Sequence, residues 1–286
     1  MTDNFKLILA LIKYRVSIAV SFTTITGYIV FTGKFDIQLL YLAISIFLLA
    51  GGSSGINECQ ESKYDALMER TKNRPIPSGK ISLQNAWIIS ILFAVTGLFL
   101  LFYIFNGTTA FLGVINLVWY NIVYTNLKRI SSFAVVPGSL VGAIPAIMGW
   151  TAAGGYVFEP SIVFIAFFLF IWQIPHFWLL MLKYGKEYEE AGFKTINQTV
   201  NSINLKLVIF SWVVATSFSS IIVPLFLVNI SFLFFLIIFT LNLLFIGIFT
   251  KLSFGNVTEL NYKKSFISIN IYMMIFMLLL IAFHLF

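Results

Sequence analysis

Charge is scarce in this chain. Only 10% of its 286 residues are Asp, Glu, Lys or Arg, whereas a soluble domain carries about 25%. Hydrophobic residues make up 59%, and the mean hydropathy is +0.95. Cysteine is also scarce: Cys59 is the only one, which excludes an internal disulfide framework. These deficits argue against a soluble or disulfide-stapled domain and predict an integral membrane protein.

The apolar residues form long continuous runs. About 20 apolar residues cross a bilayer as a helix, and the runs lack the alternation expected of barrel strands. The predicted fold class is therefore all-α: one polytopic membrane domain over residues 1–286, with about nine transmembrane helices around a central cavity. The spans are predicted at roughly 14–33, 37–57, 84–105, 108–126, 133–153, 161–182, 206–228, 230–250 and 266–286.

The basic residues are distributed unevenly among the loops. With the N-terminus in the cytoplasm and nine spans, seventeen of the eighteen Lys and Arg residues fall on the cytoplasmic side, and only Lys34 falls outside. This asymmetry is typical of multi-pass membrane proteins, so the net charge of +7 does not point to nucleic acid. The first residues lack the pattern of a cleavable signal or transit peptide. We expect a bacterial inner membrane protein with a cytoplasmic N-terminus.

Oxygen-bearing side chains follow the second span at intervals of four residues: Asn57, Glu61, Asp65 and Glu69. If the helix continues, they share one face, where like charges repel by a few tenths of a kcal/mol per pair. Carboxylate and amide oxygens suit Mg²⁺, which also takes waters and substrate phosphates. The pattern favours a cation site, and the alternative is a solvated loop.

Basic side chains lie close to these acids in the sequence and again at two other loops on the same side. Such bases are suited to binding phosphate, although bases at inner loops also serve topology alone. A second acid–base cluster begins at Lys183 and contains Glu187. We expect the two clusters to face each other across a pocket that opens at the cytoplasmic surface. The candidate bases are Arg70, Lys72, Arg74, Lys128, Arg129 and Lys183.

Two spans carry unusual residues inside the apolar region. The sixth contains Gln173 and His176 beside Pro175, and such polar residues are costly unless they are paired or face a cavity. A hydrogen-bonded core histidine, a cavity-lining residue and a direct ligand all remain open for His176. The fifth span is rich in Gly and Pro, which predicts a broken, closely packed helix or one thinned to admit a ligand.

These residues resemble the UbiA-type intramembrane prenyltransferases. The first acidic motif of that family is matched by Asn57, Glu61, Asp65, Met68, Arg70, Thr71 and Arg74. The protoheme IX farnesyltransferase branch adds two further motifs, matched by Lys128, Arg129, Gly142, Ala143, Pro145, Gly149 and Trp150, and by Trp172, Gln173, Pro175, His176, Phe177 and Trp178. The resemblance runs from about residue 15 to residue 192, and the last three spans match only in hydrophobicity.

The resemblance implies transfer of a farnesyl group from farnesyl diphosphate to a vinyl group of haem B, with Mg²⁺ as cofactor. Membrane lipid and a downstream haem A synthase are the further partners it suggests. It implies a catalytic set of Asn57, Glu61, Asp65, Lys128, Arg129 and Glu187, of which Asn57, Glu61, Asp65 and Glu187 would hold the metal. The six bases named above would bind diphosphate. The substrate pocket would include Tyr124, Trp172, Gln173, His176 and Tyr188.

The chain departs from the family pattern at a few positions. Glu61 and Glu187 replace Asp, Lys63 replaces a middle acid, and Tyr14 replaces a Pro. A longer Glu changes the metal geometry, and Lys63 would lower the negative charge of the site. Two other functions stay open at this level. One is a prenyltransferase acting on an aromatic quinone precursor, and the other is a transporter, whose broken helices are a common feature.

Overall fold

The computed structural model describes residues 3–227, 231–254 and 259–285, and helices dominate these ranges. The α-helices, in chain order, are α1 (Asp3–Leu11), α2 (Tyr14–Thr32), α3 (Ile37–Asp65), α4 (Leu83–Leu100), α5 (Gly107–Val118), α6 (Thr125–Ile130), α7 (Val135–Gly138), α8 (Leu140–Ala152), α9 (Pro160–Glu190), α10 (Ser202–Ile222), α11 (Phe232–Phe254) and α12 (Glu259–Leu285). Short 3₁₀ segments lie at Ile196–Gln198 and Val223–Phe226, and π-helical segments at Leu101–Phe105 and Trp119–Tyr124.

Nine helical stretches within the described ranges are long and apolar enough to cross a membrane, which confirms the predicted number and helical class. They are Tyr14–Thr32, Ile37–Asp65, Leu83–Phe105, Gly107–Ile130, Val135–Ala152, Pro160–Glu190, Asn204–Phe226, Phe232–Lys251 and Tyr262–Leu285. Three predicted span limits, at residues 228, 230 and 286, lie outside the described residues.

Two helices continue beyond the ends predicted for them. α3 runs to Asp65 instead of residue 57, and α9 runs to Glu190 instead of residue 182. Both extensions are polar, so hydropathy places their ends too early. In α3 the acids of the extension, Glu58, Glu61 and Asp65, are buried against other elements, and these contacts hold the helix beyond its apolar run. The two extensions carry the acidic clusters.

Irregular turns interrupt two other spans. The fourth span changes from α to π geometry at Trp119–Tyr124, next to the bases of α6. Such π segments often occur at functional sites, and the hydrophobic pattern gave no sign of this one. The fifth span is broken at Ser139, between α7 and α8, as its Gly and Pro content predicted. Trp119 Nε1 donates to Pro137 O at 2.8 Å and ties the two irregular regions together.

Helices α2 and α8 pack with their backbones in contact. A Cβ atom added to Gly149 of α8 would lie 1.8 Å from Thr24 O, and one added to Gly27 of α2 would lie 2.0 Å from Ala146 O. Only glycine fits at these two positions. The close approach joins the fifth span to the first, as expected for small residues in membrane helices.

The last membrane helices, α10 to α12, share a buried hydrogen-bond network. Tyr272 Oη lies 2.7 Å from both Ser220 Oγ and Asn242 Oδ1, and Asn242 Nδ2 donates to Ser220 Oγ at 2.9 Å. Each of the three residues belongs to a different helix. Polar contacts of this kind stabilise membrane helix pairs by about 0.6 kcal/mol or more each, and they fix how this apolar region packs.

Candidate active site

One face of α3 carries the candidate metal ligands. Asn57, Glu61 and Asp65 are one turn apart and only 2%, 4% and 1% exposed. The helix ends at Asp65, so Glu69 does not continue the stripe. Glu69 is exposed and pairs with Lys72 at 2.6 Å. The expectation that four residues share the face is therefore wrong for Glu69, because the chain turns away before reaching it.

Each of the three oxygen-bearing side chains contacts a basic side chain from a different element. Lys13 Nζ lies 3.2 Å from Asn57 Oδ1, and Arg74 Nη1 lies 2.6 Å from Asp65 Oδ2. Lys128 Nζ lies 2.5 Å from Glu61 Oε1, an ion pair whose angles fall outside hydrogen-bond geometry. The structure thus brings predicted acids and predicted bases together as direct partners.

Lys13 was not among the predicted site residues. It lies between α1 and α2 with φ of 45°, the left-handed region, and this turn points its side chain toward α3. Burial and the nearby charge of Arg74 together lower the pKa of Lys13 to about 8, against the opposing effect of Glu58, Asp65 and Glu61. The sequence carried no signal for this contact beyond a base near the start of the first span.

Glu58 is a second buried acid that the four-residue spacing did not select. It is fully buried, and its Oε1 accepts a long hydrogen bond of 3.5 Å from Ile76 N. The loop after α3 therefore folds back over the helix. Thr71 Oγ1 donates to Asp65 O at 2.9 Å and brings Arg74 over the site. Burial lowers the pKa of Arg74, but Asp65 outweighs this and raises it overall.

Hydrogen bonds fix α3 against the π-helical segment and α6. Asn57 Nδ2 donates to Thr125 Oγ1 at 3.1 Å. Ser53 Oγ donates to Asn121 Oδ1 at 2.7 Å, and Asn121 Nδ2 donates back to Ser53 O at 2.9 Å. Arg129 Nη2 donates to Gln60 O at 3.2 Å. These contacts set the position of Lys128 relative to Glu61.

The second predicted cluster meets the loop that follows α3. Glu187 Oε2 accepts from Arg70 N at 3.1 Å, and Arg70 Nη2 donates to Tyr188 Oη. Glu187 is therefore bound to the loop backbone, and Lys183 is exposed with its Nζ 5.1 Å from the centre of the Tyr184 ring. The two clusters do face each other, and Arg70 lies between them.

Two other predicted residues lie away from the buried acids. Lys72 is exposed and bound to Glu69. Lys63 is also exposed, since it is two residues from Glu61 and from Asp65 and so lies on the other side of α3. The expectation that Lys63 lowers the charge of the site is wrong for this reason: it does not share the buried face.

An apolar cavity of about 160 Å³ lies beside the acidic face of α3. It begins at Ser53 and Ser54, about one turn from Asn57. Its lining comes from α2, α3, the fourth span, α7, α8 and α9, as Val16, Val20, Ile46, Leu49, Ala50, Ser53, Ser54, Asn116, Leu117, Tyr120, Tyr124, Gly138, Val141, Gly142, Pro145, Met148, Gln173 and Phe177.

The predicted pocket residues divide into those that line the cavity and those that do not. Tyr124 and Gln173 line it, and Gln173 Oε1 is buried without a hydrogen-bond partner. Trp172 donates to Ile269 O at 2.8 Å and so joins α9 to α12. The His176 ring lies beside the Trp172 ring, with ring centres 5.0 Å apart and planes tilted by 38°, and it is outside the cavity lining. Tyr188 lies at the second cluster.

The donor set fits Mg²⁺ bound together with a phosphate group. Within the described residues, no group of three or more His, Cys, Asp and Glu side chains is placed to hold a metal. The buried oxygens of Glu61, Asp65 and Asn57 nevertheless match the one or two carboxylates that Mg²⁺ typically takes from protein, with substrate phosphates and waters completing the shell. Glu187, bound to Arg70 N, is not grouped with them.

Comparison with known proteins identifies the family. The sequence profile described as the UbiA prenyltransferase family matches residues 19–283. The chain belongs to this family. A protoheme IX farnesyltransferase of Flavobacterium psychrophilum is 38% identical, over 63% of this chain and 61% of that protein. One from Cytophaga hutchinsonii is 37% identical, over 68% and 69%. The first curated relatives are matched over about three fifths of their own length.

Solved structures agree with a UbiA fold. One described as digeranylgeranylglyceryl phosphate synthase has a TM-score of 0.78 and 20% identity, over 99% of both chains. A UbiA homolog from Archaeoglobus fulgidus bound to GPP and Mg²⁺ has a TM-score of 0.71 and 17% identity, over 96% of this chain and 99% of that one. At these identities the likeness concerns the fold, and it confirms the predicted helical membrane architecture of this UbiA-family protein.

Proposed function

We propose that this UbiA-family protein transfers a farnesyl group from farnesyl diphosphate to a vinyl group of haem B, giving haem O. The observation that carries the proposal is the face of α3, where Asn57, Glu61 and Asp65 each contact a base, above an apolar cavity that begins about one turn from Asn57. Oxygen ligands, bases and an apolar wall are the three features that an allylic diphosphate substrate requires. The relatives' shared name, protoheme IX farnesyltransferase, supports haem as the acceptor.

The acidic and basic residues have different roles in the proposed reaction. Bound Mg²⁺, held by Asn57, Glu61 and Asp65, would neutralise the charge that develops on the leaving diphosphate. Lys128 and Arg74, released from their carboxylates, donate to the diphosphate oxygens and stabilise the same charge. Arg129, Arg70, Lys72 and Lys183 add positive charge around the mouth, and Glu187 positions Arg70.

The reaction breaks the bond between C1 of the farnesyl group and the diphosphate oxygen. C1 then bonds to a vinyl carbon of haem B, and the cation left on the vinyl group takes a water, which loses a proton. The apolar lining excludes water until the new bond has formed. Tyr124, whose ring lies 5.4 Å from Lys128 Nζ, offers an aromatic face near the site where positive charge develops.

The same proposal places the protein in the bacterial inner membrane, with its N-terminus and the acidic mouth on the cytoplasmic side. The charge distribution supports this orientation, because seventeen of eighteen basic residues then lie inside. The product is a modified haem that remains in the bilayer, where lipid surrounds the enzyme. A haem A synthase is the next enzyme to act on it.

The deciding experiment expresses the protein in a strain that lacks haem O synthase and measures haem O by mass. We expect haem O from the wild type and a loss of about 100-fold or more from Asp65→Asn. Glu69→Gln, in the exposed pair of the same loop, is the matched control and retains activity. Purified protein supplied with farnesyl diphosphate and either haem B or an aromatic ring acceptor separates the haem enzyme from a quinone-type enzyme. Absence of haem O from the wild type would contradict the proposal.

A further inference from the structure

Two amide side chains interrupt the apolar wall of the cavity. Among the lining residues in the described part of the chain, the buried oxygens without a hydrogen-bond partner are Gln173 Oε1 and Asn116 Oδ1. A buried acceptor of this kind costs free energy unless a donor reaches it, and a bound water is a common donor at such sites. Both amides are therefore candidate positions for a single water in the cavity wall.

A glycine positions the Gln173 amide. A Cβ atom added to Gly142 would lie 2.1 Å from Gln173 Oε1 and 2.7 Å from Gln173 Cδ, so the amide lies directly against the backbone of α8. Gln173 itself belongs to α9, which packs on α8. Because Gly142 has no side chain, it leaves room for a polar group at this point of the wall.

The Gln173 amide is close to the proposed diphosphate site. One turn before Gly142, a Cβ atom added to Gly138 would lie 2.5 Å from Tyr124 Cδ2. The Tyr124 ring is in turn 5.4 Å from Lys128 Nζ. The two glycines thus place the Gln173 amide about one helical turn from the aromatic ring that borders the site of charge separation.

Asn116 lies farther from the reacting groups. It precedes Tyr124 by eight residues in the fourth span, which corresponds to about 12 Å along a helix at 1.5 Å per residue. Of the two unpartnered amides, Gln173 is therefore the one beside the proposed reaction, and Asn116 offers the same chemistry at a distance.

The proposed transfer creates a need for one positioned water. When C1 of the farnesyl group bonds to the terminal vinyl carbon, the positive charge moves to the adjacent vinyl carbon. That carbon is either attacked by the oxygen of a water, which then loses a proton and leaves an alcohol, or the cation loses a proton from the neighbouring carbon and leaves an alkene. In both cases the released diphosphate takes the proton, so the alkene is one water lighter than the alcohol.

We propose that Gln173 is the catalytic residue that holds this water and so makes the product an alcohol. This rests on the proposed function. A water that donates one hydrogen to Gln173 Oε1 keeps its oxygen lone pairs directed into the cavity, where they can attack the vinyl cation. Gln173 is on α9, whereas the metal ligands are on α3, so the bound water is held apart from the carboxylates. The apolar lining excludes bulk water, and the amide retains a single molecule.

The test measures the two products by mass after purified full-length protein has reacted with farnesyl diphosphate and haem B. We expect the wild type to give mainly the alcohol. In Gln173→Leu the ratio of alcohol to alkene falls about tenfold, the effect of one hydrogen bond. Gln173→Glu keeps an acceptor oxygen and gives mainly the alcohol. Asn116→Leu makes the same change at the distant amide and leaves the ratio as in the wild type.

Gly142→Ala provides a second variant that keeps the glutamine. The added methyl group displaces the amide, so the ratio falls as in Gln173→Leu, and this variant carries the test if Gln173→Leu does not fold. A wild-type ratio in Gln173→Leu, or a lower yield of both products with the ratio unchanged, would overturn the role of Gln173 even though haem O is made. If the wild type gives neither product, the transfer itself fails and the role of Gln173 fails with it.

Discussion

At the scale of single residues, the site is defined by oppositely charged side chains in contact. Asn57, Glu61 and Asp65 on α3 each have their own basic partner, at 2.5 to 3.2 Å. Removing one partner of a buried pair is costly, because the other charge stays buried. The arrangement balances the charge of the buried acids, and the proposed function gives the same bases a second role as partners of phosphate oxygens.

Replacement of Lys128 tests this pairing directly. Lys128→Met leaves the Glu61 carboxylate buried without its ion-pair partner, so we expect the free energy of unfolding to fall by about 3 kcal/mol. The double variant Glu61→Gln, Lys128→Met removes both charges and recovers most of the loss. Thermal unfolding in detergent gives both values. If Lys128→Met is as stable as the wild type, the ion pair does not contribute to the resting protein.

At the scale of helices, two kinds of feature place the site. The polar extensions of α3 and α9 carry the two clusters beyond the apolar core. The approach of α8 to α2, through Gly149 and Gly27, then determines where the wall containing Pro145 and Met148 lies. The cavity depends on this contact, because a displaced α8 would open its wall.

Substitution of Gly149 tests the importance of the close approach. In Gly149→Ala the new methyl group would meet Thr24 O at 1.8 Å, and a backbone oxygen cannot move aside. We expect the free energy of unfolding to fall by about 3 kcal/mol. Gly247→Ala is the matched control, since a Cβ there meets nothing within 4 Å, and it is neutral or up to about 1 kcal/mol more stable. Similar melting temperatures for the two variants would contradict the packing argument.

At the scale of the whole molecule, the charge distribution and the position of the cavity mouth indicate the same end of the helical bundle. The acidic mouth lies at the same end of the bundle as the polar extensions of α3 and α9, and Lys34 lies in the connection between α2 and α3 at the other end. The proposed transfer joins a charged diphosphate to an apolar acceptor, and a polar mouth beside an apolar cavity at one end of the bundle suits both substrates.

Cysteine labelling tests the orientation. Lys34→Cys and Lys186→Cys each place a thiol at an exposed position on opposite sides of the proposed topology, while the native Cys59 is buried. In intact spheroplasts a membrane-impermeant maleimide should modify Lys34→Cys at once and Lys186→Cys only after permeabilisation. The reverse order would place the N-terminus outside the cytoplasm. The wild-type protein, which carries only Cys59, shows how much labelling the native cysteine contributes.

Hydropathy and the local spacing of residues were enough to predict several features of the fold and of the candidate site. The number of spans followed from apolar run length, because the bilayer fixes how many residues a helix needs. The shared face of Asn57, Glu61 and Asp65 followed from helical periodicity. The break in the fifth span followed from its Gly and Pro content. All of these depend on residues close together in the chain.

Tertiary structure alone decided the contacts between distant parts of the chain. Periodicity within one segment does not show that Lys13, forty-four residues from Asn57, reaches its amide oxygen, or that the loop after α3 buries Glu58. Periodicity also wrongly predicted that Glu69 shares the helical face, whereas α3 ends at Asp65. Lys63 was likewise expected to affect the site, but it is exposed on another side of α3. Nor does run length show that Leu49 of α3 and Met148 of α8 both pack close to Gly113 of α5. Residues far apart in sequence come together through the packing of whole helices, which no single segment encodes.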